Sequence, residues 1–483
     1  MAAPHMAGVI ALLKQVHPTL TSLELKSLVM STAKTLIAPD KSMYPISRQG
    51  AGRVQVIKAI DASLVSVPTG LSLGEITIEK KKLIRKSVSI RNFGTAARTL
   101  TLSLEADAGL SLAKAPSEVV LAPNEVKTIE LEVMVDISGL PNTSSELDGI
   151  LKLSEGSVEA MRIPMLAVAT KVSQVKVESL VIHSTSKTDS DGAAVDLTLK
   201  NSGTNAGDAY PFNLIARDER KRDPNADPNM DHSCDLQEAG YRVIVKEGQP
   251  VLQIAGKLFE PMTTWDNCEI IALIDGDGDG IADQELAGIR EDNLKGLSAK
   301  TFSSVLLDAA MTRELRKKFE LESQAKKEEP KEGETKKEIV ENYTAAIIAL
   351  SPMLAMNHST IAIIEAPIAN LKLRNLGEVS VRIAASSKEL SAIQPDDALG
   401  KDAGKWLSLN VRANGAGFAD LPEKITLAPG ESSSVKISKG LGSEKLLLLY
   451  PSNKPALDGL SKDQQSEIAK PTHMSEMITV SKK

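Results

Sequence analysis

Apolar residues recur at helical spacing at the start of the chain and on alternate positions through most of its remaining length. Ala7, Ile10, Ala11 and Leu13 mark one helical face between Pro4, which suits a first turn, and Pro18, which stops the run. Thr21-Ser22-Leu23-Glu24 reads as a capping box opening a second helix, with Leu25, Leu28 and Val29 on its apolar face. Two helices cannot bury both faces against each other alone, so further polypeptide or a partner chain is expected over them.

After Ile60 the period changes to two, with turn residues at intervals of about 8 to 12. An alternating strand ends in Asn-x-Gly at Asn92 to Gly94, at Asn201 to Gly203 and at Asn375 to Gly377, where the expected reason is the left-handed backbone that these residues tolerate. Leu-Ala-Pro, a turn residue and Glu occur in succession at Leu121 to Glu125 and again at Leu427 to Glu431. The predicted fold is mainly β: tandem β-sandwich modules of fibronectin type III or immunoglobulin-like kind after a short α-helical segment. The expected bounds are 1–64 for the helical segment, 66–170 for a first sandwich, 172–453 for a sandwich region of one or two modules, and 454–483 for a polar tail. Charged residues crowd 321–340 around Pro330 and Gly333, which predicts a flexible insert with a helical start near Met311.

Three stretches carry a family resemblance. "MAAPHMAGVIALL" is similar to the segment after the nucleophile of subtilisin-like serine peptidases, whose motif reads G-T-S-M-A-x-P-H. "LKSLVMSTA" and "YPISRQGAGRVQVIKAI" continue the likeness, the latter with the P-x-x-x-Q-G-x-G-x-V segment of cell-envelope-type subtilases. The resemblance implies that 1–64 is the C-terminal remnant of an α/β catalytic domain, with Met1 directly after the catalytic serine. The family's aspartate, histidine, oxyanion-hole asparagine and serine would all precede this point, and His5 belongs to the motif without being the base. The chain then reads as the C-terminal portion of a secreted subtilisin-like serine endopeptidase, inactive alone. Its expected partners are the missing N-terminal catalytic portion and, for the intact enzyme, protein or peptide substrates. The stretch from about Val67 to Thr170 resembles the fibronectin type III-like domain of the same enzymes. The competing reading is a non-catalytic extracellular calcium-binding adhesive or structural β-sandwich protein.

Among 483 residues the net charge is −6 with both signs interspersed, which argues against nucleic acid. No apolar run approaches the roughly 18 residues of a membrane span. The first positive charge, Lys14, lies behind the apolar run, so no signal peptide is read here, and an extracellular or cell-envelope location is implied by the family alone. Two cysteines do not make a zinc site.

The clearest chemistry is "IDGDGDGIADQE". Asp275, Asp277 and Asp279 put carboxylates on alternate residues, Gly280 allows a sharp turn, Ile281 offers a carbonyl and Asp283 stands at the ninth position. This is the pattern by which one short loop wraps a hard cation in oxygens, and the expected cofactor is a structural Ca²⁺ held over 275–286. It departs from an EF-hand: position twelve is Leu286, Glu285 comes one residue early, and "CEIIALI" before it reads as a buried strand. A second acidic stretch, with Asp223, Asn225, Asp227, Asn229 and Asp231, has two prolines and no glycine, and is expected to be a solvated loop. The segments around Cys234 and Cys268 resemble subtilase tails, and the resemblance implies that the two pair as a disulfide; the residues alone leave two buried thiols open as the alternative.

Overall fold

The structure is a computed structural model that describes residues 2–141, 144–183, 194–218, 234–262, 264–291, 301–325, 345–356, 359–373, 377–386, 397–398, 405–411, 422–438, 445–453 and 474–479. The acidic stretch with Asp223, Asn225, Asp227, Asn229 and Asp231, most of the charged insert, and Asn375 lie outside the described residues. The chain divides into two compact units, Met1–Val172 and Ser173–Lys483.

The first unit opens with α1 (Ala2–Val16), α2 (Ser22–Ser31), α3 (Ile46–Gln49) and α4 (Val56–Asp61). The capping box at the start of α2 forms as the sequence predicts: Thr21 Oγ1 accepts from the Glu24 amide, and Glu24 Oε2 accepts from the Thr21 amide at 2.8 Å. Leu25, Leu28 and Val29 are buried against Leu13, Leu20 and Ala59. Helix α2 buries its apolar face within the unit, whereas α1 leaves most of its surface open, as expected of helices that need further cover. On α1, Leu13 alone is buried among the side chains described, although the helix is apolar nearly all round.

Nine strands come next: β1 (Leu64–Val67), β2 (Leu71–Ile78), β3 (Lys81–Asn92), β4 (Arg98–Ala106), β5 (Leu110–Lys114), β6 (Glu118–Leu121), β7 (Val126–Asp136), β8 (Ser144–Glu155) and β9 (Val158–Lys171). They form two sheets, β1-β3-β7-β5 and β2-β9-β8-β4-β6. The alternation is the cause: along β7, Ile129, Leu131, Val133 and Val135 point into the core while Glu130 points out, so each strand closes one side of a shared interior. The sandwich starts at Leu64 rather than at 66, because Leu64 and Val65 pair with Asn92 and Arg91 of β3.

The second unit contains two sandwiches, one threaded into the other. The outer one uses β10 (Val175–His183), β11 (Ala194–Asn201) and β12 (Gly207–Arg217). The chain then leaves through β13 (Leu236–Lys246), β14 (Gln249–Met262), β15 (Glu269–Asp275), β16 (Gln284–Arg290), β17 (Phe302–Asp308), α5 (Ala309–Ala325), β18 (Ile347–Pro352), β19 (Leu354–Ala355), β20 (Ser359–Pro367), β21 (Glu378–Ser386), β22 (Asp397–Ala398) and β23 (Leu407–Asn410). It returns to the outer sandwich with β24 (Ile425–Leu427), β25 (Ser432–Ser438), β26 (Lys445–Leu449) and β27 (Ser475–Thr479). β12 serves both bodies: Gly207 to Ala209 pair with β24, Tyr210 to Asn213 with β26, and Asn213 to Arg217 with β13. The buried Arg242 closes the neck of the insertion. Its Nη1 donates to Pro211 O on the way out and to Pro422 O on the way back, each at 3.1 Å, and its guanidinium lies over the Phe212 ring at 4.2 Å.

The outer sandwich repeats the pairings of the first unit: β3 with β7 matches β11 with β25, β4 with β6 and β8 matches β12 with β24 and β26, and β8 with β9 matches β26 with β27. Two expectations change. The segment read as a polar tail supplies β27, paired with β26 and anchored by the buried Met474 and Ile478. The Asn-x-Gly repeat is not a left-handed turn, since neither Gly94 nor Gly203 has positive φ. Glycine is needed there for close approach, because a Cβ would lie 2.9 Å from Ser63 Cβ at Gly94 and 2.8 Å from Gln174 N at Gly203. The left-handed residues are Asn124 and Gly430, inside the Leu-Ala-Pro turns. Helix α5 begins at Ala309 and carries the first residues of the expected charged insert as far as Ala325.

Candidate metal centre

The loop between β15 and β16 owes its shape to its neighbours. β15 is a buried strand, as "CEIIALI" predicts, and it pairs with β16 from Ile271 and Ala287 to Ile274 and Gln284, so the residues between must turn within a short span. Gly278 and Gly280 take φ of +80° and +84°, which side-chain-bearing residues rarely adopt. At Gly276 a Cβ would sit 1.6 Å from Lys372 O, so only glycine fits.

The turn draws the carboxylates inward. Asp275, 2% exposed, accepts from the Gly278 amide at 2.6 Å and from the Gly280 amide at 3.0 Å. Asp283 closes the loop: Oδ2 accepts from Gly276 N at 2.8 Å, and its own amide donates to Ile274 O at 2.8 Å. Oxygens of Asp275, Asp277 and Asp283 lie within 4.8 Å of one another, the one such acidic group among the described residues. Three carboxylates converging from one short loop give the all-oxygen donor set that a hard cation takes.

The sequence expectation separates at this point. Asp275, Asp277 and Asp283 come together, whereas Asp279 falls outside that group and its Oδ1 accepts from the Ile281 amide at 2.7 Å. Ile281 has an exposed side chain. Glu285 is engaged elsewhere and cannot serve as a late ligand: it is buried in β16, in a 2.8 Å ion pair with Arg316 of α5. Leu286 is core.

Several residues that hold the loop carry no local sequence signal. Trp406 Nε1 donates to Gly280 O at 3.2 Å, with the Arg382 guanidinium over its ring at 4.4 Å. Arg313 donates to Ala282 O at 2.8 Å, and the Ala309 amide to Asp283 O at 3.0 Å. The buried Gln284 side chain donates to Asn370 O and accepts from the Lys372 amide. Nearby cations are engaged elsewhere: Lys372 Nζ meets Asp308 at 2.7 Å, and Arg316 meets Glu285.

Cys234 and Cys268 are bonded, with Cα atoms 5.6 Å apart, in the core of the inserted sandwich beside Trp265. His5 sits exposed on α1. No described helix is long and apolar enough to cross a membrane.

Comparison with known proteins locates one family match: residues 1–52 match the Subtilase family. The chain is 25% identical over 183 residues to the minor extracellular protease Vpr of Bacillus subtilis (strain 168), covering 38% of this chain and 22% of that protein. It is 38% identical over 90 residues to the subtilisin-like protease SBT1.9 of Arabidopsis thaliana, covering 19% of this chain and 11% of that one. The chain thus spans less than a quarter of the length of either relative. Among solved structures, the PapD-like domain 7 of human CEP192 is matched over 23% of this chain and 86% of that one, at 10% identity and a TM-score of 0.18.

Proposed function

The chain belongs to the subtilase family through its first 52 residues, and from that premise we propose that it is the C-terminal portion of a secreted subtilisin-like serine endopeptidase. The observation that carries this reading is the uncovered apolar surface of the helical segment. Leu12 is 50% exposed, Val16 49%, Leu23 54% and Ile57 75%, on helices whose family counterparts belong to a larger fold. The partner that fits this surface is the remainder of a subtilase catalytic domain, which would bring the aspartate, histidine, serine and oxyanion hole. By itself the chain hydrolyses no peptide, because nucleophilic catalysis needs a serine activated by a positioned base. A disulfide in the inserted sandwich supports an oxidising, extracellular setting, as does the likeness to an extracellular protease.

Within this portion the β15–β16 loop is a structural calcium site, with Asp275, Asp277 and Asp283 as carboxylate ligands and the loop backbone around Ile281 as a further oxygen source. The ion would neutralise the converging carboxylates and fix the ends of β15 and β16. At millimolar calcium and an affinity typical of extracellular modules, the gain in stability is on the order of 1 kcal/mol.

Two measurements test these readings separately. A fluorophosphonate probe should leave the full chain unlabelled, and transcript sequence 5′ of the Met1 codon should encode H-G-T-H and G-T-S motifs; stoichiometric labelling at one serine, or the absence of such coding, overturns the peptidase reading. Thermal melts in chelator, calcium and magnesium should show a calcium-specific rise in Tm that Asp277→Ala abolishes. Identical melts in all three, with no heat of calcium binding, reduce the loop to an acidic turn.

A further inference from the structure

One buried acid in the first unit has no part in these readings. Asp148 of β8 is 5% exposed and lies where the helical segment meets the first sandwich. Its Oδ2 accepts from the Ile46 amide of α3 at 2.8 Å, while its Oδ1 has no hydrogen-bond partner. Beside it, Glu146 Oε2 accepts from Ser47 Oγ at 2.7 Å, so α3 is held to β8 by two carboxylates in a row. A third, Asp107, accepts from the Asp148 amide at 2.9 Å.

We propose that this seam is an acid-tightened latch, closed most firmly when Asp148 takes up one proton on its free oxygen. The geometry allows protonation without loss of the contact. The proton comes from water and adds to Oδ1, leaving Oδ2 as the acceptor of the Ile46 amide. What disappears is a buried negative charge between two others. An uncompensated buried charge costs far more than a buried neutral carboxyl, so the protonated seam is the tighter one.

Among the described residues the Ile46 amide is the group that offsets the charge. β9 presents the apolar Leu166 opposite Asp148 and Val168 opposite Glu146. The cation of α3, Arg48, is exposed, and the charged groups acting on Asp148 are the acidic Asp107 and Glu146. Burial first, and these two neighbours after it, outweigh the Ile46 hydrogen bond and raise the Asp148 carboxyl above its ordinary value of 3.8. The folded seam therefore binds a proton at a pH where the unfolded chain does not. Stability rises as pH falls through the raised value and levels off below the ordinary one. For a secreted chain this makes the attachment of the helical segment responsive to mild acid.

Hydrogen exchange of the full chain, followed by mass spectrometry on peptides spanning 44–50, tests the latch. At about pH 5 and about pH 7.5, Glu24, the other buried acid at this seam, stays ionised and does not interfere. After correction for intrinsic rates, the expected result is severalfold greater protection at the lower pH, and high protection at both in Asp148→Asn, which keeps the acceptor and removes the charge. Equal protection of the unmodified chain at both pH values, or an undiminished pH difference in Asp148→Asn, overturns the proposal. Should that variant fail to fold, Asp107→Asn replaces it: removal of the neighbouring charge should shrink the pH difference, and an unchanged difference overturns the latch.

Discussion

Asn92 and Asn201 make the same four hydrogen bonds in two different sandwiches. Each side-chain amide donates to a carbonyl four residues ahead, Ala96 O or Asn205 O at 2.8 Å, and to a strand carbonyl, Leu121 O at 3.3 Å or Leu427 O at 3.1 Å. Each Oδ1 accepts from the glycine two residues on, and each backbone amide donates to the glutamate of a Leu-Ala-Pro turn, Glu125 O or Glu431 O at 2.9 Å. Those glutamates in turn accept from Ala122 N and Ala428 N at 2.6 Å. In the second copy the partners lie 226 residues apart, across the whole insertion.

Both asparagines are fully buried, so replacing either by alanine leaves carbonyls unsatisfied in the interior. Asn92→Ala should destabilise the first unit by about 2 to 4 kcal/mol, and Asn201→Ala the second by a similar amount. Limited proteolysis resolves the two units. Each variant should become susceptible in its own unit, and Asp at either site should be no better than Ala because it turns the donor into an acceptor facing carbonyls.

Glu24 ties α2 to the first sandwich through Arg91, with Nη1 to Oε1 at 2.6 Å. Burial pushes the Glu24 carboxyl up, but the Thr21 amide, Arg91 and the Thr21 hydroxyl together hold it below its ordinary value of 4.5. A depressed folded pKa contributes stability that is present above the ordinary value and is lost as pH falls through the folded one. Acid unfolding of the first unit should therefore steepen below about pH 4.5, and Glu24→Gln should flatten that limb while lowering stability at neutral pH. Circular dichroism melts across pH give both readouts. This limb opposes the Asp148 latch, so the seam should be firmest in mildly acid solution.

The disulfide closes a 34-residue separation that spans β13 and β14. Loop-closure entropy assigns a loop of this length about 3 to 4 kcal/mol. Reduction, or the double change to alanine, should lower the Tm of the second unit and leave the first unchanged. Trp265, 1% exposed beside Cys268, should red-shift its fluorescence at a lower temperature than in the oxidised chain.

Some of this protein was legible in the order of its residues. The capping box at Thr21 and Glu24, the alternation that makes β7 a strand with one buried face, and the turn at Leu121 to Glu125 depend on residues within a few positions of each other, and local patterns report local chemistry. The loop at 275–283 was legible for the same reason, since its ligand candidates share one short stretch. The family resemblance came from contiguous motifs, and it also implied the pairing of Cys234 with Cys268.

What tertiary structure decided concerns partners far apart in the chain. Alternation says which side of a strand is buried and nothing about which strand lies beside it, so the insertion of one sandwich into another, joined through β12 and Arg242, had no sequence signal. The same limit applies to single residues. Asn92 looked like a turn residue and is a buried organiser, because its carbonyl partners come from β6 and the turn after it. Asp277 joins the acidic group and Asp279 does not, although the two alternate identically, because left-handed glycines and anchors from Lys372 and Trp406 aim the backbone. Asp148 gained its unpaired oxygen only when α3 docked on β8, and a charge that is unremarkable in an exposed strand became, by burial beside two others, a group that responds to pH.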